Sequence, residues 1–484
     1  MLVYDRHLHD RAHGTAGARV AQLVVIGGGA AGMSAASAAR RVDPALEVVV
    51  CEAGGFAAYG MCGIPYYLSG VVPEAEDLLA YPPSEFRERR GIDLRLHTRV
   101  TGIDSAARKL RLSPAGHGKG EIHGRPAADQ VLGYDALVVA SGADPVRPPV
   151  PGLGERRVFA IRSLDEAVEL RKLLASGTVR RAVVVGAGYI GLETAEALVG
   201  AGADVDVVEA LPRVLGSVDE PVAALAQAEL ERHARLRLGA RLDAVDMGGT
   251  PGGLTAVVDG TEIATDLVVI AAGVRPATDL LIQVGAEHLP DRSVVVDEQM
   301  RTSLPGVFAA GDAVALPHLV LGGPAWVPLG PAANKTGRVA GTVAAGGTAS
   351  FRGVVGTAVV KVFDLEVART GLGLAEAQAA GLDAVATDVV SRSRAKYYPG
   401  GSPLHVRLVH TRDGRLLGGQ LAGREGAAKR VDVLAAALHA RFTVADLAAL
   451  DLSYAPPFAP VYDPVLAAAN QAARGLAPLT AGGS

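Results

Sequence analysis

Cysteine is scarce in this chain: two residues in 484, Cys51 and Cys62, too few for a disulfide-stapled scaffold. Long apolar runs are missing as well. The longest, such as the stretch from Asp266 to Val274, fall well short of the roughly 18 residues that a membrane span requires, and the N-terminus lacks the apolar core of a signal peptide. Such runs read instead as buried parallel strands, and the cytoplasm is the expected address. Neither sign of charge is in marked excess: 47 Lys and Arg against 51 Asp and Glu give a net charge of −4 and a pI near 6.3. That leaves no electrostatic footprint for nucleic acid or an anionic membrane. Any phosphate recognition must be local, which points to nucleotides rather than polymers. The histidines show no ligand spacing with cysteines or acids, so no metal site is expected.

What the chain does have is length and apolar content: 49% of its residues are hydrophobic, and the usual domain size suggests about three domains. Residues 1–20 mix His, Arg, Asp and Gly without periodicity and read as a flexible extension. Beyond them a strand-like run followed at once by a glycine-rich turn and an alanine-rich helix occurs twice, at Leu23–Ile26 and Ala182–Val185. This is the βαβ pattern of an α/β protein with two nucleotide-binding units. The cluster Pro145, Pro148, Pro149 and Pro151 reads as a linker between them. A second break is expected near Gly341 to Gly353, before new strand-like residues begin at Thr357–Lys361. The expected division is therefore 21–150 with 276–349 as one nucleotide domain, 151–275 as the other, and 350–484 as a third, α+β domain.

Gly27, Gly29 and Gly32 form a G-x-G-x-x-G loop directly after a strand, and Glu52 stands twenty residues further on at the end of the next strand, where it would accept from an adenosine ribose. The helix that follows presents backbone N–H groups and the positive end of its dipole to a pyrophosphate. Gly186, Gly188 and Gly191 repeat the motif and Glu209 repeats the acid. Glu209 would accept from a free ribose 2′-hydroxyl and repel a 2′-phosphate, favouring NADH over NADPH, although Arg213 lies close enough to reach a phosphate. Glu193 closes this second motif. Tyr189, inside the loop, is either a core aromatic or a ring lying where a nicotinamide must stack.

Cys62 sits in Ala58-Tyr-Gly-Met-Cys-Gly-Ile-Pro65, ten residues past Glu52. Alone it would read as a buried structural cysteine. Its place near the start of a helix predicts a lowered pKa and a reactive thiolate.

Over nearly its whole length the chain resembles the flavin disulfide reductases, and within them the single-cysteine branch of coenzyme A-disulfide reductases, NADH oxidases and NADH peroxidases. Tyr134–Gly142 and Asp266–Gly273 resemble the segments on which such flavoproteins cross between domains. Val307-Phe-Ala-Ala-Gly-Asp312 resembles the segment whose aspartate binds the ribityl chain. That assigns FAD to the first loop and NAD(P)H to the second, with a plain helix N-cap as the other role for Asp312. The resemblance makes Cys62 the redox centre beside the flavin, and places Cys51 at the adenosine end, far beyond the ~7 Å Cα separation that a disulfide tolerates.

Tyr397-Tyr-Pro-Gly and Tyr454-Ala-Pro-Pro-Phe458 resemble the coenzyme A-disulfide reductase segments whose tyrosines, here Tyr397 and Tyr454, reach the cysteine of a partner subunit in a homodimer. Arg41 falls where that family uses an arginine on coenzyme A phosphates, and otherwise reads as a solvated helix-end charge. Two departures stand out. Ala30 occupies the position where NADH oxidases and peroxidases carry a histidine. Ala58 and Met61 replace the serine and asparagine that often flank the reductase cysteine. The resemblance implies reduction of coenzyme A disulfide or a related small disulfide, with oxygen or polysulfide sulfur as alternative acceptors and a low-turnover redox sensor as a further reading.

Overall fold

The first strand-like run spans Gln22–Ile26 in the computed structural model, which describes residues 21–115, 130–248 and 253–476; the extension expected at 1–20 lies outside the described residues. Its side chains are almost wholly buried, because it lies at the centre of a five-stranded parallel sheet covered on both faces. The strand order is Val307–Ala309, Ala136–Val139, Gln22–Ile26, Glu47–Cys51, Ile92–Arg95. The second run does the same: Arg181–Val185 is central to Arg235–Leu238, Asp204–Glu209, Arg181–Val185, Leu267–Ile270, Val158–Phe159. Each unit also carries a three-stranded antiparallel sheet, Thr98–Asp104 to Gln130–Gly133 in one and Leu242–Met247 to Thr261–Thr265 in the other. The chain is a mixed α/β protein with two doubly wound nucleotide-binding units and an α+β unit after them.

The proline-rich linker begins as a strand. Ala143–Pro145 pairs antiparallel with Val274–Pro276, so the outgoing and returning crossings are tied to each other. After the return, Val307–Ala309 joins the first sheet beside Ala136–Val139. This brings the turn that carries Asp312 back to the first glycine loop.

The break expected from Gly341 starts later, because the helix Gly330–Ala344 runs through it. That helix packs tightly on Ala30–Val42. A Cβ on Gly337 would lie 2.1 Å from the Ala31 carbonyl oxygen, and one on Gly341 would lie 2.0 Å from that of Ala35. These glycines serve close packing of two helices rather than loop freedom.

The C-terminal sheet is antiparallel, in the order Ala358–Val362, Leu365–Gly371, Leu416–Gly423, Pro403–Thr411, Ala384–Arg392. The helices Ala427–His439 and Pro464–Arg474 cover it with Val431, Leu434, Val465 and Ala469. Among the described residues no helix is long and apolar enough to cross a membrane.

Candidate active site

The first loop turns at Gly27, whose φ of +98° is open to glycine alone at low cost, and a Cβ there would meet the Ala140 carbonyl oxygen at 2.3 Å. Gly32 lets the helix approach the turn: its Cβ would lie 1.8 Å from the Gly27 carbonyl oxygen. Gly29 is different, since a Cβ there would meet nothing within 4 Å. Its backbone is therefore open to close approach from outside. Glu52 fixes the loop from below, one carboxylate oxygen accepting from the Gly28 N–H at 2.6 Å and the other from the Gly54 N–H at 2.6 Å. Free lone pairs remain for a ribose.

The second loop repeats each part. Gly186 has φ +110° and would meet the Ala271 carbonyl oxygen at 2.2 Å; Gly191 would meet that of Gly186 at 1.9 Å; Gly188 would meet nothing within 4 Å. Glu209 accepts from the Ala187 N–H at 2.6 Å and from the Leu211 N–H at 2.8 Å. Tyr189 opens the helix Tyr189–Gly200, partly buried, with its hydroxyl 3.2 Å from Ser217 Oγ. Arg213 donates to the Gly216 carbonyl oxygen at 3.2 Å, while its Nε is buried without a partner.

Cys62 lies in the 3₁₀ turn Met61–Gly63 that leads into the short helix Ile64–Ser69, and it is exposed. That helix packs against Tyr189–Gly200 and Leu164–Ala175 of the second nucleotide unit. The segment that carries Cys62 is thus held against the second unit. The placement at a helix start is as expected, but the expected fall in pKa is reversed. The Cys62 thiol is pushed up by desolvation, then by the carboxylates of Glu193 and Asp312. A helix of six residues offers too little dipole to outweigh desolvation and two nearby carboxylates. Glu193 is itself raised to about 7, by burial and by Glu196.

Asp312 lies in the turn Gly311–Ala313, whose cap is Ala310 with no side-chain bond, so it is not acting as an N-cap. Burial raises its pKa and the Arg162 guanidinium opposes this. Among the described residues the Asp312 carboxylate has no hydrogen-bond partner, while the turn itself is pinned by Trp326 Nε1 donating to the Asp312 carbonyl oxygen at 2.8 Å. A half-buried carboxylate without a side-chain partner suits a polyhydroxyl chain. Together with the open face at Gly29, it fits a flavin dinucleotide.

Cys51 is 2% exposed, its thiol raised to about 11 first by burial, and it forms no disulfide. Tyr397 and Tyr454 meet through their hydroxyls at 3.1 Å although 57 residues separate them, and they are 75% and 44% exposed. Arg430 joins their loops, donating to the carbonyl oxygens of Ser393 at 3.2 Å and Phe458 at 2.8 Å and to Asp463 at 2.7 Å. Within the chain the groups acting on Cys62 are Glu193 and Asp312, not this pair. Arg41 is exposed in the last turn of Ala30–Val42. Its neighbour Arg40 folds back onto the carbonyl oxygens of Pro44, Leu46 and Arg90.

Sequence reasoning passed over Arg162, which reaches Met61 Sδ at 3.3 Å with its Nε buried and unpartnered. It also passed over Tyr66, close enough to Cys62 and Glu193 to be raised by both, after burial. Arg162 arrives from a segment with no motif; Tyr66 directly follows the Cys62 run, and its spacing four residues after Cys62 offered a signal.

Two dinucleotide loops flanking a lone exposed cysteine define a class of electron-transferring oxidoreductases. Residues 21–337 match the model of the pyridine nucleotide-disulphide oxidoreductases, and 357–464 match the dimerisation domain of the same family. The chain is 38% identical over 450 residues to a CoA-dependent NAD(P)H sulfur oxidoreductase of Pyrococcus abyssi, covering 93% of this chain and 97% of that protein. It is 27% identical over 441 residues to a coenzyme A disulfide reductase of Staphylococcus haemolyticus, covering 90% and 96%. Among solved structures, a NAD-dependent persulfide reductase from A. fulgidus superposes with a TM-score of 0.87 at 36% identity, over 94% of this chain and 83% of that one. The chain belongs to the pyridine nucleotide-disulphide oxidoreductase family, whose cofactors are FAD and NAD(P)H.

Proposed function

We propose that the chain is a homodimeric NADH-dependent reductase of small sulfur–sulfur bonds carried on coenzyme A, either the disulfide or the persulfide, working through Cys62. Gly27, Gly29, Gly32, Glu52 and Asp312 would hold FAD; Gly186, Gly188, Gly191, Glu193 and Glu209 would hold the nicotinamide dinucleotide, with the Tyr189 ring lying where its nicotinamide must stack. When bound, the flavin supplies the two-electron path from the nicotinamide to sulfur. Cys62, as thiolate, attacks one sulfur of the acceptor, forms a mixed disulfide with it and expels the other as a thiolate. Tyr397 and Tyr454 of the partner subunit donate the proton to that leaving sulfur, and Arg41 receives a coenzyme A phosphate. In balance, NADH, a disulfide and one proton give NAD⁺ and two thiols; with a persulfide, one product is hydrogen sulfide.

The observation that carries this reading is the lone exposed Cys62 between the two nucleotide units, with the other cysteine buried in a strand. The persulfide is the favoured acceptor of the two, because the relatives near 38% identity are named for sulfur and those near 27% for coenzyme A disulfide.

The purified yellow protein and its Cys62→Ser variant are assayed for NADH oxidation with coenzyme A disulfide, coenzyme A persulfide and oxygen in turn. Loss of turnover with both sulfur acceptors, about a thousandfold or more as for a lost nucleophile, with flavin bleaching by NADH intact, is the expected result. A Cys62→Ser protein that still releases coenzyme A at the original rate sinks the assignment.

A further inference from the structure

The side chain of Tyr189 is fastened to a turn that the C-terminal domain holds in place. Its hydroxyl lies 3.2 Å from Ser217 Oγ, and the Ser217 carbonyl oxygen accepts from Arg369 Nη1. Arg369 is in turn fixed by Glu376, at 2.6 Å and 3.1 Å, and by the Gly371 carbonyl oxygen at 2.9 Å. Two residues further along the same turn, Asp219 is gripped again from the C-terminal sheet: Arg407 Nε donates to it at 2.8 Å, and its own N–H donates to Gln420 at 2.8 Å. The turn therefore belongs to the nucleotide unit by sequence and to the C-terminal domain by its bonds.

The geometry points to Ser217 as a latch on Tyr189, with Arg369 as its anchor: a positioning pair that sets how readily the tyrosine ring yields its place to the nicotinamide. This rests on the reading of Tyr189 given above. Ser217 touches neither cofactor in that reading and acts through the phenol alone. Admitting the nicotinamide costs the Tyr189–Ser217 hydrogen bond, so the latch lowers affinity for NADH. It gives the C-terminal domain, which carries the dimer contacts of the family, a bonded route to the nucleotide site.

The test uses the FAD-loaded full chain and no sulfur acceptor, so that it stands whether or not the acceptor is rightly named. NADH affinity is read from the concentration dependence of flavin reduction in stopped flow for Ser217→Ala, Ser217→Thr, Tyr189→Phe and the Ser217→Ala/Tyr189→Phe pair. Ser217 is exposed, so Ser217→Thr has room to keep the hydroxyl. Ser217→Ala and Tyr189→Phe are each expected to tighten NADH about fivefold, the worth of one ordinary hydrogen bond. The pair should tighten it no further, and Ser217→Thr should restore the parent value. A general packing defect would weaken NADH rather than tighten it. Unchanged or weaker affinity in Ser217→Ala, or effects that multiply in the pair, overturns the latch. Tyr189→Ala separates the two failures. If it shifts NADH affinity while Ser217→Ala does not, the latch alone falls; if it too has no effect, the placing of Tyr189 at the nicotinamide falls with it.

Discussion

The two glycine loops solve the same steric problem with the same atoms and then put the following residues to different uses. In both, the first glycine turns under a carbonyl oxygen, the third brings the helix onto the turn, the second faces open space, and a strand-ending glutamate accepts from one backbone N–H of the loop and from the N–H two residues past itself. The difference begins one residue on. The first helix continues with Ala30 and Ala31 and is sealed against Gly337 and Gly341; at the eighth position of its motif Ser34 donates to Asn334 of that neighbouring helix at 2.9 Å. The second continues with Tyr189 and packs on the helix that follows Cys62, and its eighth position is Glu193, whose charge raises the Cys62 pKa. One helix start is sealed against a neighbouring helix, whereas the other lies against the segment that carries Cys62.

The sharpest way to break that comparison is to put a methyl group on the open glycine of each loop. Gly29 and Gly188 have extended backbone, with φ of −75° and −79°, and free space beyond Cα, so alanine costs the fold little. Gly29→Ala should give a folded but colourless protein. Gly188→Ala should stay yellow and bind NADH about a hundredfold more weakly, the ~2.7 kcal/mol that follows from blocking close approach of a pyrophosphate to the loop. Flavin content by absorbance and NADH titration decide it, and a yellow Gly29→Ala with normal NADH reduction would undo the assignment of the loops.

A smaller effect is expected at the acids. Glu209→Gln removes the charge that repels a 2′-phosphate and keeps one acceptor for the loop, so the ratio of kcat/KM for NADPH to that for NADH should rise about tenfold, worth ~1.4 kcal/mol. Glu52→Gln should leave that ratio unchanged and weaken flavin retention instead. Equal shifts in the ratio for both variants would mean that the two acids do not divide the ligands.

The smallest effect is the most local. Glu193, raised to about 7, is neutral below that pH and charged above it, and its charge opposes thiolate formation at Cys62. Glu193→Gln should move the pH profile of Cys62 alkylation by iodoacetamide toward lower pH, with the largest gain in rate above pH 7. Because the folded carboxyl holds its proton to higher pH than the unfolded one, Glu193 costs the parent protein stability as pH rises from about 4.5 through 7. The variant should lose that slope in a melting series. Ser34→Ala, at the matching position of the first loop, should change neither profile.

Much of this was legible in the residues because short-range geometry dictates it. A strand, a turn needing positive φ, a helix that must touch the turn and an acid at the next strand's end leave a fixed spacing in sequence, and Gly27 to Glu52 and Gly186 to Glu209 carry it. The match of Tyr397 and Tyr454 to family segments singled out both tyrosines, and the structure brings their hydroxyls together. The titration of Cys62 was not legible. A helix start argues for a low pKa, whereas desolvation first, then Glu193 and Asp312, residues 131 and 250 positions away, push the thiol up. The role of Gly341 was misread for a similar reason: its partner is Ala35, three hundred residues earlier, and a glycine that allows helices to touch looks in sequence like one that ends them.

By itself, then, the sequence determined two dinucleotide folds and the family to which these belong, since each rests on contacts between near neighbours or on a motif with fixed spacing. The tertiary structure alone decided what surrounds the cysteine, what fastens Tyr189 and how the crossings pair. Charge, burial and packing at those points come from segments that meet only when the three units close on one another.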